Sequence, residues 1–302
     1  MIGKELKRTM KNIAGTVLAV AFFSILISNK AYALTGLHQI GTAEKNVTVA
    51  WDASPGTELY KVSCGKNTFY TAATSAFVAS LKPDSKVTVK VAEVTGDGSV
   101  ASGASVKCTT LPDPSQADIC LQAGQIETAK GKSKVVSYRM VFSMYGKQKT
   151  SVSGYDYLIY NPKGKLVKKL TNQDNLFFYI TGAKEKYYKI KLRSFKDLDS
   201  RFYSEWKTVY VFRQPLCQAR RTGNAIQIKW EKIKKAKYYD IYVGTSKNGK
   251  FKKVQTVKGS KSMTNVTKVG GKSLVAGKTY YYYVIARTGN IKSYVNYVFN
   301  VQ

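Results

Sequence analysis

The stretch Ile226-Gln227-Ile228-Lys229-Trp230-Glu231-Lys232-Ile233-Lys234-Lys235-Ala236-Lys237-Tyr238-Tyr239-Asp240-Ile241-Tyr242-Val243 decides how the chain is read. Apolar and polar residues alternate at both ends, and a basic run without that alternation lies between. A period of two marks a half-buried strand, because successive side chains point to opposite faces of a sheet. Ile226, Ile228 and Trp230 therefore face one way and Gln227 and Lys229 the other, and the segment predicts two antiparallel strands joined by a basic turn. The pattern recurs: Val47-Thr48-Val49-Ala50-Trp51-Asp52 leads into Tyr60-Lys61-Val62-Ser63-Cys64, with the Trp nine residues before the next inward Tyr in both copies. Over 302 residues such a repeat predicts several small sandwiches in series, each of about 80 to 100 residues.

Residues 1–33 read as a leader. Lys4, Lys7, Arg8 and Lys11 precede the apolar run 13–27, and Ala31-Tyr32-Ala33 offers a small-x-small cleavage site. The run is short for a membrane span, which takes about 20 residues. No Cys follows the cleavage site and the C-terminus carries no hydrophobic tail, so the expectation is a secreted chain with no transmembrane segment once the leader is removed. The formal charge of +31 becomes +27 without the leader, and it is unevenly placed. Residues 34–111 carry 7 basic and 6 acidic side chains, 112–213 carry 19 and 9, and 214–302 carry 18 and 2. A field of this kind attracts polyanions over long range; a Lys-rich solvated surface is the plainer account of the same composition.

The strand pair 226–243 and its echo at 47–64 resemble the B and C strands of fibronectin type III domains. Leu81 and Leu274, each six residues before the first inward position of a following strand, resemble that family's corner, with the family's tyrosine present as Tyr280 and replaced by Val87 in the first copy. The resemblance implies an all-β fold of three tandem fibronectin type III-like antiparallel β-sandwiches after a signal peptide, at 34–112, 113–213 and 214–302. The middle unit is the least regular, with Phe142 in the place of the Trp and a longer polar turn over 145–153. Trp51, Tyr60, Trp230, Tyr239 and Tyr280 are then core residues. Strands A and G are expected at 34–37 and 106–108 in the first unit, and the last strand of the third at 295–301. Short linkers near 112 and 214 imply a monomeric rod with partly restricted bending and no large contacts between units.

Cys64, Cys108, Cys120 and Cys217 would lie in an oxidising compartment, where disulfides persist. On the strand assignment that the resemblance gives, the ends of strands C and G share one pole of the first unit, which favours Cys64–Cys108. That bond must span two strand spacings of about 4.8 Å unless the strand ends converge. Cys108–Cys120 across the linker competes with it.

Little in the sequence carries chemistry. His38, the only histidine, has no Ser, Cys or carboxylate at a useful spacing. Asp197-Leu198-Asp199 reads as a loop, and Glu231 and Asp240 read as solvent-facing balances for nearby lysines. Gly270-Gly271-Lys272-Ser273 lacks the first glycine and the strand-to-helix setting of a phosphate loop. No catalytic residue, metal ligand or cofactor is expected. Two surface features are candidate binding sites. One is the basic set Lys232, Lys234, Lys235 and Lys237 with Lys250, Lys252 and Lys253, suited to diffuse contact with phosphate or sulfate. The other is the outward pair Tyr281 and Tyr283, aromatic surfaces on which sugars or bases stack. The resemblance implies a non-enzymatic binding, adhesion or spacer protein whose partner is a cell-surface protein or glycan, and the leader with the Lys-rich composition suggests a bacterial surface. The rival readings are a polyanion-binding protein, acting through 214–302 on teichoic acid, anionic glycan or extracellular DNA, and an accessory carbohydrate-binding module. No Arg-Gly-Asp triplet is present.

Overall fold

A computed structural model describes residues 34–129, 132–144 and 149–302. The leader read at 1–33 and part of the turn read at 145–153 lie outside the described residues. The first unit holds β1 (His38–Thr42), β2 (Val47–Ala50), β3 (Leu59–Cys64), β4 (Asn67–Thr71), β5 (Ser75–Val78), β6 (Lys86–Val94) and β7 (Val100–Thr109). They form two antiparallel sheets, ordered β1-β2-β5 and β4-β3-β6-β7. Val47, Val49 and Trp51 from one sheet meet Tyr60, Val62, Val89 and Val91 from the other in a buried core, as strict alternation requires when one face of each sheet is dry. The first strand begins at His38 rather than Leu34, because Leu34 instead fills the end of the core as a buried single residue.

A 3-10 turn (Pro114–Gln116), capped by the Asp113 carboxylate accepting from the Ser115 N–H at 2.9 Å, opens the second unit. Its strands are β8 (Asp118–Ala129), β9 (Lys132–Ser143), β10 (Gly154–Tyr160), β11 (Leu166–Gln173), β12 (Phe177–Ala183), β13 (Tyr187–Asp197), β14 (Arg201–Tyr203) and β15 (Lys207–Phe212). One sheet runs β12-β9-β8; the other runs β11-β10-β13, with both β14 and β15 pairing β13. Phe142 stacks on Phe178 and meets Tyr157 edge-on at 5.0 Å, so two aromatics occupy the space filled elsewhere by one Trp.

The third unit has β16 (Cys217–Thr222), β17 (Ala225–Trp230), β18 (Tyr238–Gly244), β19 (Lys252–Lys258), β20 (Met263–Val266), β21 (Lys268–Val269), β22 (Lys272–Ser273), β23 (Tyr280–Thr288), β24 (Ile291–Lys292) and β25 (Phe299–Val301). Its main sheets are β16-β17-β20 and β19-β18-β23, with β24 and β25 both on β23. Gly270 and Gly271, both at positive φ, close the tight β21-β22 hairpin, a conformation that costs glycine little.

The tyrosines at the sandwich corners make the bonds that their position allows. The Val275 N–H donates to the Tyr280 hydroxyl at 3.0 Å. In the second unit the Lys184 N–H donates to Tyr188 at 3.0 Å, a corner that sequence spacing did not pick out. The first unit, with Val87 at that position, uses the buried Thr110 instead: its hydroxyl donates to the Lys82 carbonyl at 2.8 Å and accepts from the Ser85 N–H at 3.0 Å.

The expectation of small contacts between units does not hold. Ile291 of the third unit lies in the buried core of the second, and Tyr187 and Phe212 of the second lie in the core of the third. At the first junction the Asp84 carboxylate accepts the Lys149 and Thr150 N–H groups at 2.7 and 2.8 Å, and Lys207 pairs with Glu44 at 3.0 Å. At the second, buried Gln214 accepts the Asn296 and Tyr297 N–H groups at 2.6 and 2.7 Å. The Asn296 side chain bridges to β8, donating to the Leu121 carbonyl at 3.0 Å and accepting from the Ala123 N–H at 2.7 Å. This explains why the strand expected over 295–301 is reduced to β25: the backbone of Asn296 and Tyr297 is bonded to Gln214 of the linker, not to β23.

Candidate functional site

The alternation of β18, β19 and β23 sorts their side chains onto two faces. Trp230, Tyr239, Ile241, Val243, Tyr280, Tyr282 and Val284 are buried between the sheets of the third unit. The opposite, outer face carries Tyr238, Asp240 and Tyr242 from β18 and Tyr281, Tyr283 and Arg287 from β23. Tyr242 stands directly opposite Tyr283 in the pairing register, and their rings stack at 4.9 Å with planes 18° apart. Tyr281 stands opposite Gly244. The Phe251 side chain packs over that bare glycine and reaches Tyr283, ring centroids 4.9 Å apart. On the far side of Tyr242 its neighbour across β19 is Lys253, which is exposed. The row therefore reads cation, two stacked phenols, and a phenyl ring beside a further phenol. Burial pushes the Tyr242 and Tyr283 hydroxyls above the usual phenol range, so both remain donors through neutral pH.

The carboxylate on this face is not free. Asp240 is 3% exposed; Arg287 donates its Nε–H to it at 2.9 Å and Thr256 its hydroxyl at 2.6 Å. Asp156 and Arg193 form the same pair in the second unit, also at 2.9 Å. Glu231 likewise does not point freely to solvent: it pairs with Lys186 at 2.6 Å and with Arg213, both of the second unit. Burial alone would raise its pKa, but the Lys186 and Arg213 charges and hydrogen bonds outweigh that and hold it below the usual carboxylate range. Both acidic side chains of 214–302 are thus engaged inside the protein.

The seven lysines of the basic set do not form one patch. Lys232, Lys234, Lys235 and Lys237 lie in the turn before β18, and Lys250, Lys252 and Lys253 lie at its far end, the last two on β19 opposite Val243 and Tyr242. Lys237 precedes Tyr238 and Lys253 stands opposite Tyr242, so roughly 15 Å or more of sheet separates the two groups. Lys235 sits over the Tyr210 ring of the second unit at 5.8 Å, so this member of the first group lies at the junction. Lys252 turns toward Gly270; only Lys253 of the second group joins the aromatic row. Tyr281 and Tyr283 are on the outer face and half-buried. Tyr242 and Phe251 were missed in the sequence because their roles depend on cross-strand register and on a ring folding over Gly244.

Elsewhere the structure offers less. His38 lies 3.6 Å from Asp199, a partner that linear spacing could not reveal, and both side chains are exposed. Asp197 pairs with Arg201. No group of three metal-ligating side chains occurs among the described residues. A cavity of about 410 Å³ opens in the second unit beside Met140, Ile159 and Tyr188, whose hydroxyl is already occupied by the corner bond. Cys64 and Cys108 are unbonded buried thiols. They stand opposite Val89 and Val87 of the shared neighbour β6, so at least two strand spacings, about 9 to 10 Å, separate them and exceed the disulfide limit of about 7 Å. Burial, then the nearby Cys64, pushes the Cys108 thiol up to about 11, and burial pushes Cys217 up to about 12.

No protein-family model and no curated protein matches the sequence. Among solved structures the chain is similar to the FN1-FN3 domains of chicken CNTN1, at 12% identity over 89% of this chain and 97% of that one, with a TM-score of 0.29. It is similar to the central fibronectin-III array of RIM-binding protein at 14% identity, over 92% and 99% of the two chains, TM-score 0.24. It is also similar to chitinase ChiA74 from Bacillus thuringiensis at 13% identity, over 59% of this chain and 28% of that one, TM-score 0.25. The sheets of the chain itself are antiparallel and close over three buried cores in series. No helix among the described residues is long and apolar enough to cross a membrane.

Proposed function

We propose that the protein is an exported, non-catalytic binding protein of a cell surface, in which three mutually braced sandwiches hold the basic third unit against an anionic polymer. The observation that carries this reading is the fate of the carboxylates in 214–302. Glu231 is engaged by Lys186 and Arg213, and Asp240 by Arg287 and Thr256. Eighteen basic side chains therefore share a unit whose two acidic ones are already paired. Lysine ammonium groups bind phosphate, sulfate or carboxylate as point charges, releasing counterions from the polymer. The expected result for the full chain and inorganic polyphosphate is affinity that falls steeply as salt rises; equal affinity at low and high salt would overturn the proposal. A spacer role is the second reading, favoured by the junctions, where Ile291, Gln214 and Asn296 fix neighbouring units against one another.

A further inference from the structure

We propose that the outer face of the β19-β18-β23 sheet is a binding site for an acidic polysaccharide. Tyr242, Tyr283 and Phe251 would form its platform and Lys253 its anion contact. The inference rests on the reading of the third unit as the polyanion-binding one, and adds the ligand class and the place. Outward side chains on a strand stand roughly perpendicular to the sheet. The rings of Tyr242 and Tyr283, stacked at 4.9 Å, therefore turn their faces to each other and carry their hydroxyls at the outer ends. Nucleobase stacking requires an open ring face, whereas a sugar offers hydroxyls and C–H groups that suit phenolic donors and an aromatic edge. Phe251, tilted 50° against Tyr283, supplies the apolar surface beside them.

Charge selects an acidic sugar over a neutral one. Lys253 flanks Tyr242, Lys258 stands opposite Tyr238 on the same face, and Lys292 stands opposite Arg287. Asp240, the acid of this face, is already engaged by Arg287 and Thr256. A glycan carboxylate would thus meet ammonium groups and phenol donors, with the one carboxylate of this face already neutralised by Arg287. Gly244 is integral to the platform, since a Cβ there would lie 3.2 Å from the Phe251 ring and push it off Tyr283.

The test uses the full chain and three probes: polygalacturonate as the acidic glycan, dextran as the neutral one and inorganic polyphosphate as a polyanion without sugar. The double variant Tyr242→Phe/Tyr283→Phe keeps the stack and removes both hydroxyls. Lys253→Gln alters an exposed side chain whose loss does not threaten folding. The expected result is polygalacturonate bound in preference to dextran, weakened about tenfold by the double variant and severalfold by Lys253→Gln, with polyphosphate binding unchanged by the double variant. Unchanged polygalacturonate affinity in both variants, with polyphosphate still bound, would overturn the site and leave the polyanion reading standing. A preference for dextran over polygalacturonate would also overturn it. Failure to bind any polyanion would overturn the underlying reading itself.

Discussion

Tyr239 shows why a core position can demand a hydroxyl. Its ring is fully buried against Trp230, and its oxygen accepts the Ile233 N–H at 2.7 Å. Tyr60 does the same for the Ser54 N–H at 3.0 Å. In both units the tyrosine nine residues after the Trp satisfies a backbone donor of the turn that joins the two strands, a donor that ring packing alone would leave unpaired. Tyr239→Phe preserves the packing and orphans the Ile233 N–H, for an expected loss of about 1–2 kcal/mol in denaturant unfolding; an unchanged midpoint would show that another acceptor replaces the hydroxyl. The Trp–Tyr spacing was legible in sequence, because alternation places both residues inward. Asp240 was not: an acid on the outward face of a strand reads as solvated, and its partner Arg287 lies 47 residues away. Only the strand pairing brings them together. Asp240→Ala leaves Arg287 mostly buried without its counter-charge, and the expected cost is about 3 kcal/mol. Asp240 and Arg287 removed together should cost less than the sum of the single changes. The cysteines follow from the same register. Alkylation in denaturant without reductant should label all four thiols, while the native protein should leave buried Cys108 and Cys217 slow to react, since both thiols are protonated at neutral pH.

At the scale of elements, β24 is two residues long, yet it joins two units. Ile291 is paired to Thr288 in the third unit and buried in the core of the second. Sequence periodicity could not show this, because a hydrophobic period tells a residue to be inside without telling it inside what. It also read 295–301 as one strand from Val295, Tyr297 and Phe299, although the backbone at 296 and 297 is taken by Gln214. Residue types that bond across junctions, such as Gln214 and Asn296, look in sequence like ordinary linker polars. Ile291→Ala should remove buried contacts from the second unit while altering only a two-residue strand in the third, at a cost of about 3 kcal/mol. Hydrogen exchange is the discriminating measurement. Faster exchange in β8 and β15, the strands against which β24 packs, is expected. Faster exchange confined to β23 would mean that the residue serves its own unit alone.

Across the molecule, charge and packing act on the same junction. The three units differ in net charge by their own composition, and the second and third, both strongly basic, are held together although long-range repulsion opposes it. Glu231 resolves that conflict by placing one carboxylate between Lys186 of one corner and Arg213 of the linker strand, both on the neighbouring unit. Its pKa is depressed in the folded protein. A group whose folded pKa lies below its unfolded value stabilises the fold above the unfolded pKa, here about 4.3 for glutamate, and that contribution is lost as pH falls through the lower folded value. The difference in unfolding midpoint between the wild type and Glu231→Gln should accordingly be constant from neutral pH down to roughly that unfolded value, then close as the carboxyl protonates. High salt should narrow the gap only partly, because the carboxylate is mostly covered by its partners. A gap that persists unchanged in strong acid would assign the variant's effect to packing, and one that closes already near pH ~6, roughly two units above the expected window, would assign it to a different titrating group. If the gap behaves as expected, the acidic residue that the sequence suggested was a solvent-facing balance is the electrostatic tie between two basic domains.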